Sequence, residues 1–190
     1  MNFKQTLAIK PGAIVLMALM AATRFDHMGT AIALPDASLA VFFLAGLWLG
    51  GPYLLAAMLI EAAGVDYWAI NQMGISDFCF SPAYLFLIPS YAVMWLAGQY
   101  CRSFQSGAIG HIAWKLMVLV MATSAAFVIS NTSFYLLSDK IIEQSWTQYA
   151  EIFSTYYPAY LGSTCVYAVL IVAAVSLVKA LLAHKKSAQI

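Results

Sequence analysis

Six apolar segments run through almost the whole chain and leave little room for a soluble fold. They cover about Leu7–Thr23, Ser38–Gly50, Tyr53–Val65, Pro82–Gln99, Ile112–Leu137 and Pro158–Leu182. The chain is 63% hydrophobic and 9% charged, whereas soluble domains have roughly 45–50% apolar and about 25% charged residues. The pattern predicts an all-α integral membrane protein, with six transmembrane helices crossing the lipid bilayer in one domain, residues 1–190.

The basic residues divide unequally between the two sides that six crossings define. With both termini inside, seven are cytoplasmic, and only Arg24 and Lys140 lie outside. Because cytoplasmic loops carry the excess of lysine and arginine, this predicts an N-in, C-in topology. The acidic residues then fall mostly on the outer side, so ligand recognition is expected there. The net charge of +1 gives no reason to expect nucleic acid.

The first three predicted helices are shorter than the roughly 20 residues that a crossing needs. Their outer ends also carry polar residues. Polar or irregular backbone at membrane depth is tolerated only where protein or a water-filled cavity covers it. These outer helix ends are therefore expected to line a cavity.

The stretch from Asp66 to Tyr91 combines polar and aromatic side chains in a way that is costly inside a membrane. It is predicted to form much of a ligand pocket on the outer face. The candidate pocket residues in it, two carboxylates and four aromatic residues, are Asp66, Tyr67, Asp77, Phe78, Tyr84 and Tyr91. The alternative is that the tyrosines pack the helix bundle or belong to an interfacial aromatic belt.

Cys79 is the chemically distinctive residue of this stretch. It lies just before Ser81-Pro82, the predicted cap and first residue of helix four, where the positive helix end favours a thiolate. A thiolate is a soft ligand that suits a transition metal. An apolar filling role is the open alternative for Cys79, and Cys101 and Cys165 are interpreted as structural.

Arg24, Asp26 and His27 leave the first predicted helix together. Histidine binds metals and donates hydrogen bonds near neutral pH, so His27 and Arg24 are candidate pocket residues. An interfacial arginine–carboxylate pair beside a bystander histidine is the alternative interpretation.

Helix boundaries follow from local signals. Asp66 is predicted to end the third helix, and Asp36 is interpreted as the cap of the second. Tyr157-Pro158 is predicted to start the sixth, because the residue before a proline disfavours the helical conformation.

Ala18 and Ala22 on helix one form a small-xxx-small pair, which permits close approach of another membrane subunit.

Two segments carry a family resemblance. TRFDHMG at Thr23–Gly29 and VDYWAINQMGISDFCFSPAY at Val65–Tyr84 resemble the BtuM family of cobalamin transporters in proteobacterial membranes. The overall architecture resembles the substrate-binding S-components of energy-coupling-factor (ECF) vitamin transporters. The resemblance implies an S-component-like bundle in the bacterial cell inner membrane, with a periplasm-facing pocket for cobalamin (vitamin B12).

The resemblance also implies residue roles. Cys79 is expected to ligate the cobalt of cobalamin on one axial face and to assist decyanation of cyanocobalamin, and His27, Asp66 and Tyr84 are expected near the ligand. An ECF-type coupling subunit with its ATPases is the implied partner, docking at Ala18/Ala22. No GxxxxGK[ST] motif is present, so this chain does not energise transport itself.

Other readings stay open at the level of sequence. One is an S-component for a different vitamin, in which Cys79 is incidental. Another is an enzyme, either a thiol-dependent cobalamin decyanase or a redox protein. A structural membrane subunit is a third, although it gives no purpose to the outward sorting of acidic and aromatic residues.

Overall fold

A computed structural model describes residues 10–27, 35–73, 81–104, 109–139, 141 and 144–187. These residues are almost entirely helical, and no strand occurs among them. The α-helices are α1 (Pro11–His27), α2 (Ser38–Trp48), α3 (Pro52–Met73), α4 (Leu87–Arg102), α5 (Ile109–Leu137) and α6 (Trp146–Ser187). A short 3₁₀ helix, Pro82–Phe86, leads directly into α4.

Each of the six predicted segments overlaps one of these α-helices, which confirms the all-α prediction for the described residues. Three of the helices are long and apolar enough to cross a membrane: Pro52–Gln72, Gly110–Leu137 and Trp146–Lys185. Pro11–Arg24 and Ser38–Trp48 are shorter apolar helices. The six membrane crossings therefore remain a prediction.

Three predicted boundaries are wrong. The first helix does not end at Thr23, because α1 continues through Arg24 to His27. The third helix does not end at Asp66, because α3 continues to Met73; the charge of Asp66 is neutralised inside the bundle, so it does not interrupt the helix. The sixth helix does not start at Pro158, which lies inside α6. Phe153 and Tyr157, before this proline, both contact Phe127 of α5, and these aromatic contacts hold the helix together across the missing proline N–H.

The core is built around α2, whose residues Ser38–Gly46 are all buried. Helix α2 crosses α4 at two glycines, where the backbones touch. A Cβ atom on Gly46 would lie 2.2 Å from the carbonyl oxygen of Trp95, and one on Gly98 would lie 2.0 Å from that of Phe43. Only glycine at both positions permits this approach, which is the usual way that apolar helices pack closely in lipid.

Helices α5 and α6 are joined by aromatic rings and hydroxyl groups. The Ser124 and Tyr157 hydroxyls lie 2.7 Å apart, as do those of Thr132 and Tyr149. Helix α6 runs 30 residues beyond Tyr157, whereas α5 runs only 15 residues back from Ser124. The end of α6 therefore continues about 22 Å past the start of α5. We call residues 173–185, in which nearly every side chain is exposed, the distal segment of α6.

Two glycines form the turn between α2 and α3. Gly50 and Gly51 have φ values of +66° and +97°, a left-handed backbone that other residues rarely adopt. Pro52 then starts α3. This turn and the start of α1 at Pro11 mark one end of the bundle, and Arg24 lies toward the other.

Candidate functional site

Arg24 of α1 is the centre of a buried polar network. Its side chain is only 6% exposed. The guanidinium forms a two-pronged ion pair with Asp66 of α3: Nε donates to Oδ1 at 2.9 Å, and Nη2 donates to Oδ2. This planar arrangement is the one in which arginine binds carboxylate best.

The remaining guanidinium nitrogen links two further elements. Nη1 donates to the Tyr91 hydroxyl of α4 at 2.7 Å and to Ser38 Oγ, the first residue of α2, at 2.9 Å. It also lies 3.3 Å from Oδ2 of Asp36. One side chain therefore connects all four of the first helices.

Two tyrosines complete the network from the side of α4. The Tyr84 hydroxyl donates to Asp66 Oδ2 at 2.7 Å. The Tyr91 ring stacks on Phe42 of α2, with 4.4 Å between ring centroids and 4° between planes. Tyr84 belongs to the 3₁₀ helix that Pro82 starts, so this local structure brings its hydroxyl to Asp66.

The first turn of α2 is capped by the same residues. Asp36 Oδ1 accepts from the Ser38 N–H at 2.9 Å and from Ser38 Oγ at 2.6 Å. The Ala37 N–H donates to Thr23 Oγ1 at 3.2 Å. Asp36 was predicted as the cap of this helix, but the N-cap residue is Ala37, and Asp36 bonds to the Ser38 N–H from one position earlier. Ser81 stands at the cap position before Pro82 as predicted, but its side chain makes no capping hydrogen bond.

The network lies deep in the bundle. Arg24 follows the start of α1 by 13 residues, and Asp66 follows the start of α3 by 14. Both are therefore about 20 Å from the end of the bundle at Pro11 and Pro52. Helix α2, with 11 residues, is only about 16 Å long.

The charges of the network do not sum to zero. One guanidinium faces two carboxylates, and the Asp36 side chain, at 31% exposed, keeps partial access to solvent. Glu61 lies about 7 Å further down α3, half-buried, and its Oε2 atom has no hydrogen-bond partner in the described part of the chain. In a low-dielectric surrounding, removing one partner of a buried ion pair costs far more than the pair contributes net.

The structure brings together four predicted site residues: Arg24, Asp66, Tyr84 and Tyr91. Tyr67 is separate from them, because its side chain is 65% exposed. Asp77, Phe78 and Cys79 lie outside the described residues, as does the side chain of His27. The pocket and metal-binding roles of these residues remain predictions.

Sequence reasoning missed Ser38 as a network member and assigned Asp36 only a capping role. It also offered Asp26 as the neighbouring carboxylate for Arg24, whereas the structure pairs Arg24 with Asp66 and Asp36. The sequence contained a signal for both residues. An arginine side chain has five N–H donors and needs several acceptors when it is buried. Ser38, at the start of the next helix, was an available acceptor.

An apolar cleft lies beside the network, between α3 and the 3₁₀–α4 segment. Its volume is about 280 Å³. Its walls are Leu59, Ile60, Ala62, Ala63, Tyr84, Leu85, Leu87, Ile88 and Tyr91. Tyr84 and Tyr91 thus line the cleft and also bond to the charged network.

Among the described residues, no three His, Cys, Asp or Glu side chains come close enough to hold a metal ion. No protein-family model matches the chain, and no curated protein matches it.

Proposed function

We propose that this protein binds cobalamin on the outer face of the bacterial inner membrane and mediates its uptake. In this proposal six helices cross the bilayer, both termini are cytoplasmic, and the site faces the periplasm. The observation that supports it best is the Arg24 network, which ties the last turns of α1 to the start of α2, to Asp66 of α3 and to the start of the 3₁₀–α4 segment. In the sequence, residues 28–34 join α1 to α2, and residues 74–80, which include Cys79, join α3 to the 3₁₀ helix.

The geometry of α2 supports a cavity at this end. Helix α2 spans about 16 Å, roughly half of a hydrocarbon core of about 30 Å. Helix α3, by contrast, continues seven residues, or about 10 Å, beyond Asp66. In this proposal the half-length α2 leaves room for a ligand above its first turn, and the Arg24 network forms the polar floor of that binding site.

In this proposal Cys79 supplies the axial ligand to cobalt. Cobalt(III) in cobalamin already holds four corrin nitrogens, so a protein side chain can reach only an axial position. The Cys79 thiolate replaces cyanide there, a cobalt–sulfur bond forms as the cobalt–carbon bond breaks, and the cyanide leaves with the bonding electron pair. His27, Tyr67, Asp77 and Phe78 are the proposed contacts to the corrin periphery, and the Arg24 network positions the segments that carry them.

A binding titration tests the proposal. Purified protein is titrated with cyanocobalamin and with cobinamide, and the visible spectrum reports the axial ligand. Wild type is expected to give a thiolate-type spectrum and to release cyanide, and the ligation should weaken as pH falls because the thiol must lose its proton. Cys79→Ala and Cys79→Ser should lose both signals, while residual corrinoid binding survives.

Cys165→Ala is the matched control, since it removes a free, partly buried thiol from α6 that was interpreted as structural. It should behave as wild type. A Cys79→Ala protein that keeps the wild-type spectrum and the wild-type rate of cyanide release would rule out the cobalt-ligand role.

Transport requires energy that this chain does not supply, so the proposal includes an ECF-type coupling subunit with ATPases. Ala18 and Ala22 are exposed on α1, as a docking surface requires. Ala18→Leu or Ala22→Leu should impair uptake and leave cobalamin binding intact. Loss of both activities, or of neither, would argue against docking there.

A further inference from the structure

The apolar cleft between α3 and the 3₁₀–α4 segment opens onto a surface of exposed apolar side chains. Its rim carries three highly exposed apolar residues, Ile60, Leu85 and Ile88, at 74%, 67% and 51% exposed. Pro52–Gln72 is one of the helices long and apolar enough to cross a membrane. The cleft is therefore continuous with the surface that α3 presents to hydrocarbon.

The depth of the cleft selects the part of a lipid that can enter. Leu59 and Ala63 follow the start of α3 by 7 and 11 residues, which places the cleft about 10–16 Å along a helix about 33 Å long. That level corresponds to the middle of the hydrocarbon core rather than to a headgroup region. A polar headgroup does not reach it, but an acyl chain does.

The volume and the apolar lining of the cleft further limit which molecule can occupy it. A volume of about 280 Å³ is below the roughly 300–1,000 Å³ of pockets that enclose a drug-sized ligand, so a corrinoid does not fit. The walls other than the two tyrosines are aliphatic, and water does not occupy apolar cavities stably. A narrow, flexible hydrocarbon chain meets both conditions.

We propose that this cleft binds one acyl chain of a membrane phospholipid, which packs against the Tyr84 and Tyr91 rings. The chain fills the space that α3 and α4 leave between them, and it supports the tyrosines whose hydroxyls bond to Asp66 and Arg24. The phospholipid is thus a structural ligand of the polar network. This proposal requires only that the chain is embedded in a membrane, and it does not depend on corrinoid binding.

Native mass spectrometry of protein purified in mild detergent tests the proposal. Wild type is expected to retain one phospholipid per chain. Ala63→Trp places an indole in the cleft and should lower the retained phospholipid by about tenfold or more. Ala57→Trp is the matched control, because Ala57 is exposed on the same helix and does not line the cleft; it should retain phospholipid as wild type does.

A second variant tests the proposal if the Ala63→Trp protein folds poorly. Ile88→Ala shortens one wall without adding bulk, and it should release the phospholipid at lower detergent concentration than wild type. Adding defined phospholipid back to stripped wild type should raise its unfolding temperature, whereas adding free fatty acid should raise it less. The proposal is overturned if wild type retains no phospholipid, if free fatty acid or a second copy of the chain accounts for the retained mass, or if the Ala63→Trp and Ala57→Trp proteins retain equal amounts.

Discussion

The α2–α4 crossing and the distal segment of α6 are both strongly apolar, yet one is entirely enclosed and the other almost entirely exposed. At the crossing, Gly46 and Gly98 let the backbones touch, and the Arg24 network closes one end. Leu177, Val178, Leu181 and Leu182 of the distal segment are 54–62% exposed. Hydrophobicity therefore does not decide which surface meets protein and which meets lipid. Small residues that allow close approach and polar groups that need partners make that distinction.

The largest effect is expected from removing Arg24, which leaves two carboxylates facing each other at the end of α2. Arg24→Leu should lower the free energy of unfolding by about 3–5 kcal/mol, because Asp66 then stays buried without a counter-charge. Unfolding in mixed detergent micelles measures this loss. The double variant Arg24→Leu/Asp66→Leu should recover part of it, since an apolar pair can replace a buried ion pair. If the double variant were as unstable as the single one, the ion pair would not be the source of the stability that the network contributes.

The next effect concerns the glycine contact itself. Gly98→Ala places a methyl group against the Phe43 carbonyl and must push α2 and α4 apart. A loss of about 2–3 kcal/mol in the free energy of unfolding is expected, near the upper range for overpacking. Gly162→Ala is the control, because no described residue from another element lies within 4 Å of the added Cβ on α6, and the helix gains about 0.5–1 kcal/mol. Equal responses from the two glycines would show that the α2–α4 approach is looser than described.

A smaller effect is expected where a tyrosine completes the network. Tyr84→Phe removes a hydroxyl that donates to the Asp66 carboxylate. Hydrogen bonds to charged groups contribute about 1.5–3 kcal/mol, and the partial exposure of Tyr84 favours the lower end. Tyr67→Phe, on the exposed side of α3, should leave the unfolding midpoint unchanged. A Tyr84→Phe protein with wild-type stability would remove this tyrosine from the network.

The smallest effect is expected in the distal segment of α6. Leu181→Ala in the distal segment should change the free energy of unfolding by less than about 0.5 kcal/mol, because no described residue encloses its side chain. Leu119→Ala, at 2% exposed in α5, should lose about 2–5 kcal/mol in the same assay. If Leu181→Ala were as costly as Leu119→Ala, the distal segment would be packed in the purified protein.

The apolar segments predicted where the helices lie, because each must bury its backbone hydrogen bonds within itself in lipid. Their pairing was not predictable in the same way. The contact of Arg24 with Asp66, 42 positions apart, depends on how α1 and α3 cross, and no local pattern encodes that. Asp66 was expected to end α3, but its carboxylate is paired with Arg24 and the helix continues to Met73. Pro158 was expected to start α6, and only the rings of α5 explain why the helix passes through it.

The brevity and burial of α2 bear on how the chain is made. An 11-residue helix without a lipid-facing side is too short to leave the protein-conducting channel for the bilayer by its own partitioning. Its close neighbours Trp95 and Gly98 are synthesised about 50 residues after Gly46. We therefore expect residues 38–48 to stay beside the channel until α4 emerges, and the first four helices to enter the membrane together. Biogenesis of this protein is then sensitive to the order and timing of translation across its first hundred residues, before either of the two long final helices exists.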